Sequence, residues 1–399
     1  MTCSINRTLM DAPSTDSRDA HLFGPGPKRI LALDGGGVRG IISLAFLERV
    51  EALLRERSGN PAVRLADYFD LIGGTSTGSI IAAGLALGLP VARLIDIYVN
   101  LAREGFQRRG WFGGLLVPKF RAAALERAIR AQVGDATLGS GALLTGFAAI
   151  AKRLDTASVW VFHNHPHGKF FGPSEASQAS VPNRDLLLAQ IIRASTAAPS
   201  YFEPELIEVA PGTRGAFIDG GISPHNNPAL LLLMLATING YGFRWPTGSE
   251  RLLLMSIGTG GGAAPPHPAD ELVHKPALLL AVGSLQSLML DCHWLGQALL
   301  QWMGQSPTLW PIDAEVGDLG ADRLGPEKLF HYVRYDAPLD AAWLAARAEL
   351  IVSETELVGL RAFDRPEAVG RLLEIARCAA NRTVRPEHIP DKFDIAGSN

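Results

Sequence analysis

One serine in a glycine-flanked turn constrains this chain more than any other feature. Tyr68, Phe69, Leu71 and Ile72 lead into G-T-S-T-G at Gly74 to Gly78, and Ile80, Ile81, Ala82, Ala83, Leu85 and Ala86 follow. An apolar strand, a tight turn and an apolar helix, in that order, predict a nucleophile elbow with Ser76 at its apex. Gly74 and Gly78 let the backbone reverse without a Cβ clash. The helix that follows aims its free N–H groups and positive dipole end at the same point. The plainer reading is a glycine-rich turn with a serine N-cap. A P-loop is excluded because no lysine follows Gly78.

A second glycine cluster narrows the choice. Lys28 to Leu33 read as a buried strand, D-G-G-G-V-R-G follows at Asp34 to Gly40, and Ile41, Leu44, Ala45, Leu47, Val50, Leu53 and Leu54 then repeat at helical spacing. Consecutive glycines before a helix turn several N–H groups toward one point, which makes an anion site; an oxyanion hole is one kind. Arg39 adds positive charge there. The same stretch satisfies the dinucleotide pattern G-x-G-x-x-G through Gly35, Gly37 and Gly40. A dinucleotide fold would also need an acidic residue at the tip of the next strand. That strand ends instead in Gly73 and Gly74, which argues against a nucleotide.

A third segment is F-I-D-G-G-I at Phe217 to Ile222, where Asp219 ends an apolar run and Gly220 begins a turn. By itself it reads as an ordinary Asp-Gly turn. A histidine triad is the alternative to a carboxylate acting alone. His225 follows Asp219 too closely for the order Ser, Asp, His on separate late loops, and reads as a turn or pocket-rim residue. His163, His165 and His167 alternate without a nearby acidic or cysteine partner and are expected to be solvated rather than to bind metal.

Taken together, the three segments resemble the patatin-like phospholipases, whose pattern is a D-G-G-G-x-R-G loop, a G-x-S-x-G elbow and a D-G-G or D-G-A segment in this order. R-A-S-T-A-A-P-S-Y-F at Arg193 to Phe202, N-N-P at Asn226 to Pro228 and L-L-L-M-S-I-G-T-G at Leu252 to Gly260 extend the resemblance across about 28–260, and more weakly to Pro338. The resemblance implies an α/β three-layer sandwich with a mostly parallel central sheet and a helical C-terminal extension. It implies Ser76 as nucleophile, Asp219 as general base, Gly35, Gly36 and Gly37 as the oxyanion loop supported by Arg39, and Gly74, Gly78 and Gly220 as motif-supporting positions. No cofactor and no metal are implied. The expected substrate is a phospholipid at a membrane surface. Burial beside Phe217 and Ile218 is expected to raise the Asp219 carboxyl toward a useful base. Other readings are an esterase or acyltransferase on soluble acyl groups, a lipase effector switched on by a signal (as in some bacterial relatives), and, outside this class, a nucleotide-binding regulator.

The chain has 399 residues, 47% of them hydrophobic, enough for a large core, and a net charge of −3 gives no support for nucleic-acid binding. Residues 1–27 are polar and read as a flexible arm without a signal-peptide core. Residues 28–340 are expected to form the catalytic domain and 341–399 the helical extension. Three scattered cysteines, Cys3, Cys292 and Cys378, suggest reduced thiols in a cytoplasmic protein that meets membranes peripherally. No run reaches the roughly 20 apolar residues of a membrane-spanning helix. Gly105 to Arg121, mixing Trp111 and Phe112 with Arg108, Arg109 and Lys119, reads either as a lipid-facing segment or as a cap over the site. The leucine-rich stretch Leu278 to Leu290 reads as a lid, a subunit interface or core, and core is expected. The sequence leaves a homo-oligomer and an activating ligand or protein open.

Overall fold

Alternation along the central strands sets the layers. In β1 (Lys28–Leu33), Leu31 and Leu33 pack into one apolar cluster while Ile30 and Ala32 pack into another. β2 (Leu71–Thr75) divides Ile72 from Leu71 in the same way. Side chains of a strand point alternately to opposite faces, so a strand buried in two clusters must be covered on both sides. In this computed structural model, which describes residues 16–105, 122–173, 180–261 and 269–395, that is the arrangement. The stretch expected at a lipid surface or cap falls almost wholly at 106–121 and lies outside the described residues, as do 1–15 and the Pro-rich run at 263–268.

The remaining strands are β3 (Gly146–Arg153), β4 (Ser158–His163), β5 (Glu205–Ala210), β6 (Thr213–Asp219), β7 (Leu252–Ile257), β8 (Gly304–Gln305) and β9 (Phe330–Tyr335). The nine-stranded sheet runs in the order β5-β6-β3-β2-β1-β7-β9-β8, with β4 also paired to β3. β1, β2, β3, β7, β8 and β9 are parallel, whereas β4, β5 and β6 enter through antiparallel pairings. The fold is therefore a mostly parallel α/β sandwich.

Helices α1 (Asp16–Phe23), α2 (Gly40–Ser58), α3 (Thr77–Ala86), α4 (Val91–Gly105), α5 (Ala122–Val133), α6 (Leu188–Ser195), α7 (Ala229–Thr237), α8 (Ala277–Met303) and α9 (Val369–Thr383) flank it. The larger cluster joins α2, α3, α4, α5, α6 and α9 to one face; the smaller joins α7 to the other.

Three expectations change. Part of the presumed flexible arm is helical: α1 inserts Leu22 into the smaller cluster, and the Leu22 carbonyl accepts the Trp245 indole N–H at 3.1 Å. Those anchors are distant in sequence, so local polarity hid them. The C-terminal extension does not stand apart, because Leu372, Ile375, Ala376 and Ala379 of α9 share the larger cluster with α2. The leucine-rich stretch expected in the core forms the first half of α8, and Leu279, Leu280, Leu288 and Met289 are exposed there. Hydrophobicity alone does not bury a helix that extends beyond the sheet it covers.

Candidate active site

Two strand ends meet on one edge of β3. Thr75, the last residue of β2, pairs with Ile150, and Asp219, the last residue of β6, pairs with the next residue, Ala151. β4 occupies the opposite edge of β3. β2 and β6 therefore run toward each other along the same edge, and their tips bring Ser76 and Asp219 together. The Ser76 hydroxyl donates to Asp219 Oδ2 at 2.5 Å. Asp219 Oδ1 accepts the Gly221 N–H at 2.7 Å, and the Asp219 N–H is fixed on the Ala197 carbonyl at 3.0 Å. Asp219 is buried, and desolvation pushes its carboxyl up to about 6, opposed by the hydrogen bonds from Ser76 and Gly221 and by the charge of Arg193.

Ser76 sits at φ 53, ψ −128, a region that a side chain other than glycine's adopts only under constraint. The constraint is visible. Its N–H donates to Ser195 Oγ at 2.9 Å, whose own hydroxyl donates to the Ile150 carbonyl at 2.6 Å. Its carbonyl accepts the Ser79 hydroxyl at 2.6 Å. Gly74 and Gly78 face each other across the turn, and a Cβ at Gly78 would overlap the carbonyl oxygen of Leu33 at the end of β1. A Cβ at Gly220 would likewise meet the Ile150 carbonyl. The elbow is packed between β1 and β3 with no room for larger residues.

The glycine loop lies against this elbow: a Cβ on Gly35 would sit 3.0 Å from Ser76 Cβ. Its three glycine amides, grouped together by the sequence, differ in the structure. The Gly35 N–H donates to the Asn226 carbonyl at 3.0 Å and the Gly36 N–H to Thr77 Oγ1 at 3.2 Å. The next amide, Val38 N–H, donates to the Phe363 carbonyl at 2.9 Å. Among the described residues, Gly37 N–H alone on this loop has no acceptor. Gly37 has φ 58, and its carbonyl is pinned by the Tyr98 hydroxyl at 2.5 Å. An alanine there would be strained and would overlap the Phe363 carbonyl. We expect Gly37→Ala, whose strain would displace this free N–H, to lower turnover on a soluble ester by up to about 100- to 1000-fold; steady-state kinetics on folded protein would check it.

Arg39 is buried. Its guanidinium lies 4.1 Å from the centre of the Phe363 ring, and Nη1 donates to the Arg361 carbonyl at 3.4 Å. Burial lowers its pKa to about 10, so it keeps its charge at neutral pH. It braces the loop through a C-terminal segment that the sequence motifs did not include.

Further supports were not read from the sequence. Gly35's carbonyl is held by Thr259 Oγ1 at 3.0 Å and Asn226 Nδ2 at 3.2 Å. Asp34, which opens the loop, pairs with Arg334 at 3.0 and 2.7 Å, and Arg334 also reaches Asp336 at 2.9 Å. All three are buried. Burial pushes both carboxyls up while Arg334 opposes it. An arginine and an aspartate two apart in the apolar strand F-H-Y-V-R-Y-D were the available signal.

The histidines stay outside this network. Among the described residues, none hydrogen-bonds Ser76 or Asp219. His225 contributes its carbonyl, which accepts the Thr75 hydroxyl at 2.6 Å. His163 and His165 are buried rather than solvated, with the His165 ring 4.2 Å from Phe243; burial lowers them to about 4 and about 3, so both are neutral. No cluster of three metal-binding side chains occurs among the described residues. No described helix is long and apolar enough to cross a membrane.

A sequence profile of patatin-like phospholipases matches residues 31–233. Patatin-2-Kuras 4 of Solanum tuberosum is 30% identical over 244 residues, covering 58% of this chain and 62% of that protein. Patatin-07 of the same species is 29% identical over 264 residues, covering 62% and 65%. The chain thus spans under two thirds of the length of these curated relatives. Human GIVD cytosolic phospholipase A2 superposes with a TM-score of 0.38 at 13% identity, covering 92% of this chain and 63% of that one, a likeness too loose to add to the assignment. With its glycine loop, elbow and Asp-Gly-Gly turn all inside residues 31–233, and with the profile spanning half its length, the chain belongs to the patatin-like phospholipase family.

Proposed function

We propose that this protein is a serine lipid acyl hydrolase that cleaves carboxylic ester bonds of glycerophospholipids. The observation that carries the reading is the 2.5 Å hydrogen bond from a strained elbow serine to a buried carboxylate, beside a glycine loop with one free amide. Asp219, with its carboxyl raised to about 6, is ionised at neutral pH yet a better base than an exposed aspartate. Ser76 attacks the ester carbonyl as its proton passes to Asp219. The oxyanion is received by Gly37 N–H, and by Gly36 N–H as the Thr77 hydroxyl turns away. The protonated Asp219 then delivers its proton to the leaving alkoxide. A water, deprotonated by the same carboxylate, hydrolyses the acyl-enzyme and restores Ser76. Arg39 supports the loop from outside the reacting atoms.

The test is covalent labelling. A fluorophosphonate should modify Ser76 stoichiometrically, and peptide mapping should find no second site. Labelling that persists in Ser76→Ala protein would refute the assignment. Release of fatty acid from phosphatidylcholine, compared with that from a soluble short-chain ester, would then separate a lipid hydrolase from an esterase.

A further inference from the structure

α8 is longer than the sheet it covers. Leu300 packs in the cluster with Phe330, at the start of β9; Gln297 Oε1 accepts the Tyr332 hydroxyl at 2.7 Å, midway along the strand; His293 feels the charges of Arg334 and Asp336, at its end. The helix therefore ascends antiparallel toward the edge where Asp34, Ser76 and the glycine loop lie. At a rise of 1.5 Å per residue, the part from 277 to 290 projects roughly 20 Å past that edge.

This projecting part is unlike a surface helix. From Pro276 to Leu290 it carries no charged residue. Leu279 is 59% exposed and Leu288 57%, and Leu280 and Met289, next to each in sequence, are exposed as well. Just before it, Val273 is 77% exposed. The Ser284 hydroxyl donates to the Leu280 carbonyl at 2.9 Å, so this polar group is satisfied within the helix and asks nothing of its surroundings. Contiguous apolar surface of this kind marks a contact site.

Resting on the lipid-hydrolase reading above, we propose that the N-terminal half of α8 is the membrane-docking element, entering the bilayer surface where it projects past the Ser76 edge and holding that edge against the lipid. The charge pattern favours lipid over a protein partner. A second copy would cover one stripe of the helix and leave leucines wet, whereas Leu279, Leu280, Leu288 and Met289 spread around it. With no basic residue in the run, attachment depends on apolar area rather than on anionic headgroups. Docking is therefore insensitive to salt, and zwitterionic lipid suffices.

Full-length Ser76→Ala protein, which leaves the lipid intact, is floated with phosphatidylcholine vesicles at low and high salt, beside Leu279→Asp/Leu288→Asp in the same background. The parent floats at both salts, and the double variant's partition falls about tenfold or more. With Ser76 restored, that variant hydrolyses a soluble short-chain ester within about twofold of the parent, which shows an intact site. Leu279→Gln/Leu288→Gln is a milder pair whose partition shifts the same way. Unchanged flotation overturns the proposal. So does a parent that fails to float but forms a dimer broken by the double variant in light scattering, which assigns the helix to a second copy. Flotation without ester hydrolysis by the Ser76 protein sinks the hydrolase reading and leaves the docking helix standing.

Discussion

Exchanging Asp219 for Asn should lower turnover on a soluble ester by about 10⁴- to 10⁶-fold while leaving the protein folded. Asparagine keeps the shape and can still accept the Gly221 N–H that Asp219 Oδ1 accepts at 2.7 Å. It cannot take the Ser76 proton. The same change should stabilise the fold, and the sign follows from the pKa. Burial raises the carboxyl from 3.8 to about 6 in the folded chain. Its contribution to stability is therefore full below the unfolded value and is lost as pH rises through about 6. At pH 8 the native protein holds a buried charge that the Asn variant lacks, and the variant should gain up to about 3 kcal/mol. Below about pH 4 the gain should vanish. Denaturation midpoints at the two pH values, set beside kcat, would check both halves. Activity of the unsubstituted protein should rise about tenfold per pH unit and level off above about 6. A flat profile through that range would exclude Asp219 as the base.

The second large effect falls on stability. Arg334→Met should destabilise the fold by about 3–5 kcal/mol at neutral pH, because it strands Asp34 and Asp336 as buried charges. Protonation relieves that penalty, so the deficit should shrink on acidification, opposite to the Asp219→Asn effect. Restoring neutrality with Asp34→Asn and Asp336→Asn in the same protein should recover part of the loss. Chemical denaturation at pH 7.5 and 5 would measure it; equal deficits at the two values would show that the carboxyls are not the source.

Much of the site was legible because it is local. The elbow, the glycine loop and the Asp-Gly-Gly turn each announce their own backbone. Burial raising the Asp219 carboxyl followed from Phe217 and Ile218 alone. What the sequence hid is non-local. Val38 is held by Phe363, 325 positions downstream, and Asp34 by Arg334, 300 positions downstream. No spacing rule reaches so far. The three glycine amides looked equivalent because the acceptors that occupy the first two, Asn226 and Thr77, arrive from different parts of the chain, while Gly37 N–H is left without one. The antiparallel strands β5 and β6 and the parallel strand β9 were missed or only half seen, since each is short and all three carry charges. Leu278 to Leu290 misled for the opposite reason: its composition reads as core, and only the length of the sheet beneath shows that half of it has nothing to cover.

The neighbouring positions Ile150 and Ala151 measure the gap between serine and carboxylate. That gap is inherited from main-chain spacing, not from how side chains happen to pack. The 142 residues between Ser76 and Asp219 can lengthen, shorten or be rebuilt without altering it, provided β3 keeps its alignment. A single-residue slip of that strand would shift one partner by about 3.3 Å and turn its side chain to the far face. The connecting loops are thereby free to diversify, while a deletion of one residue inside Gly146–Arg153 would part Ser76 from Asp219.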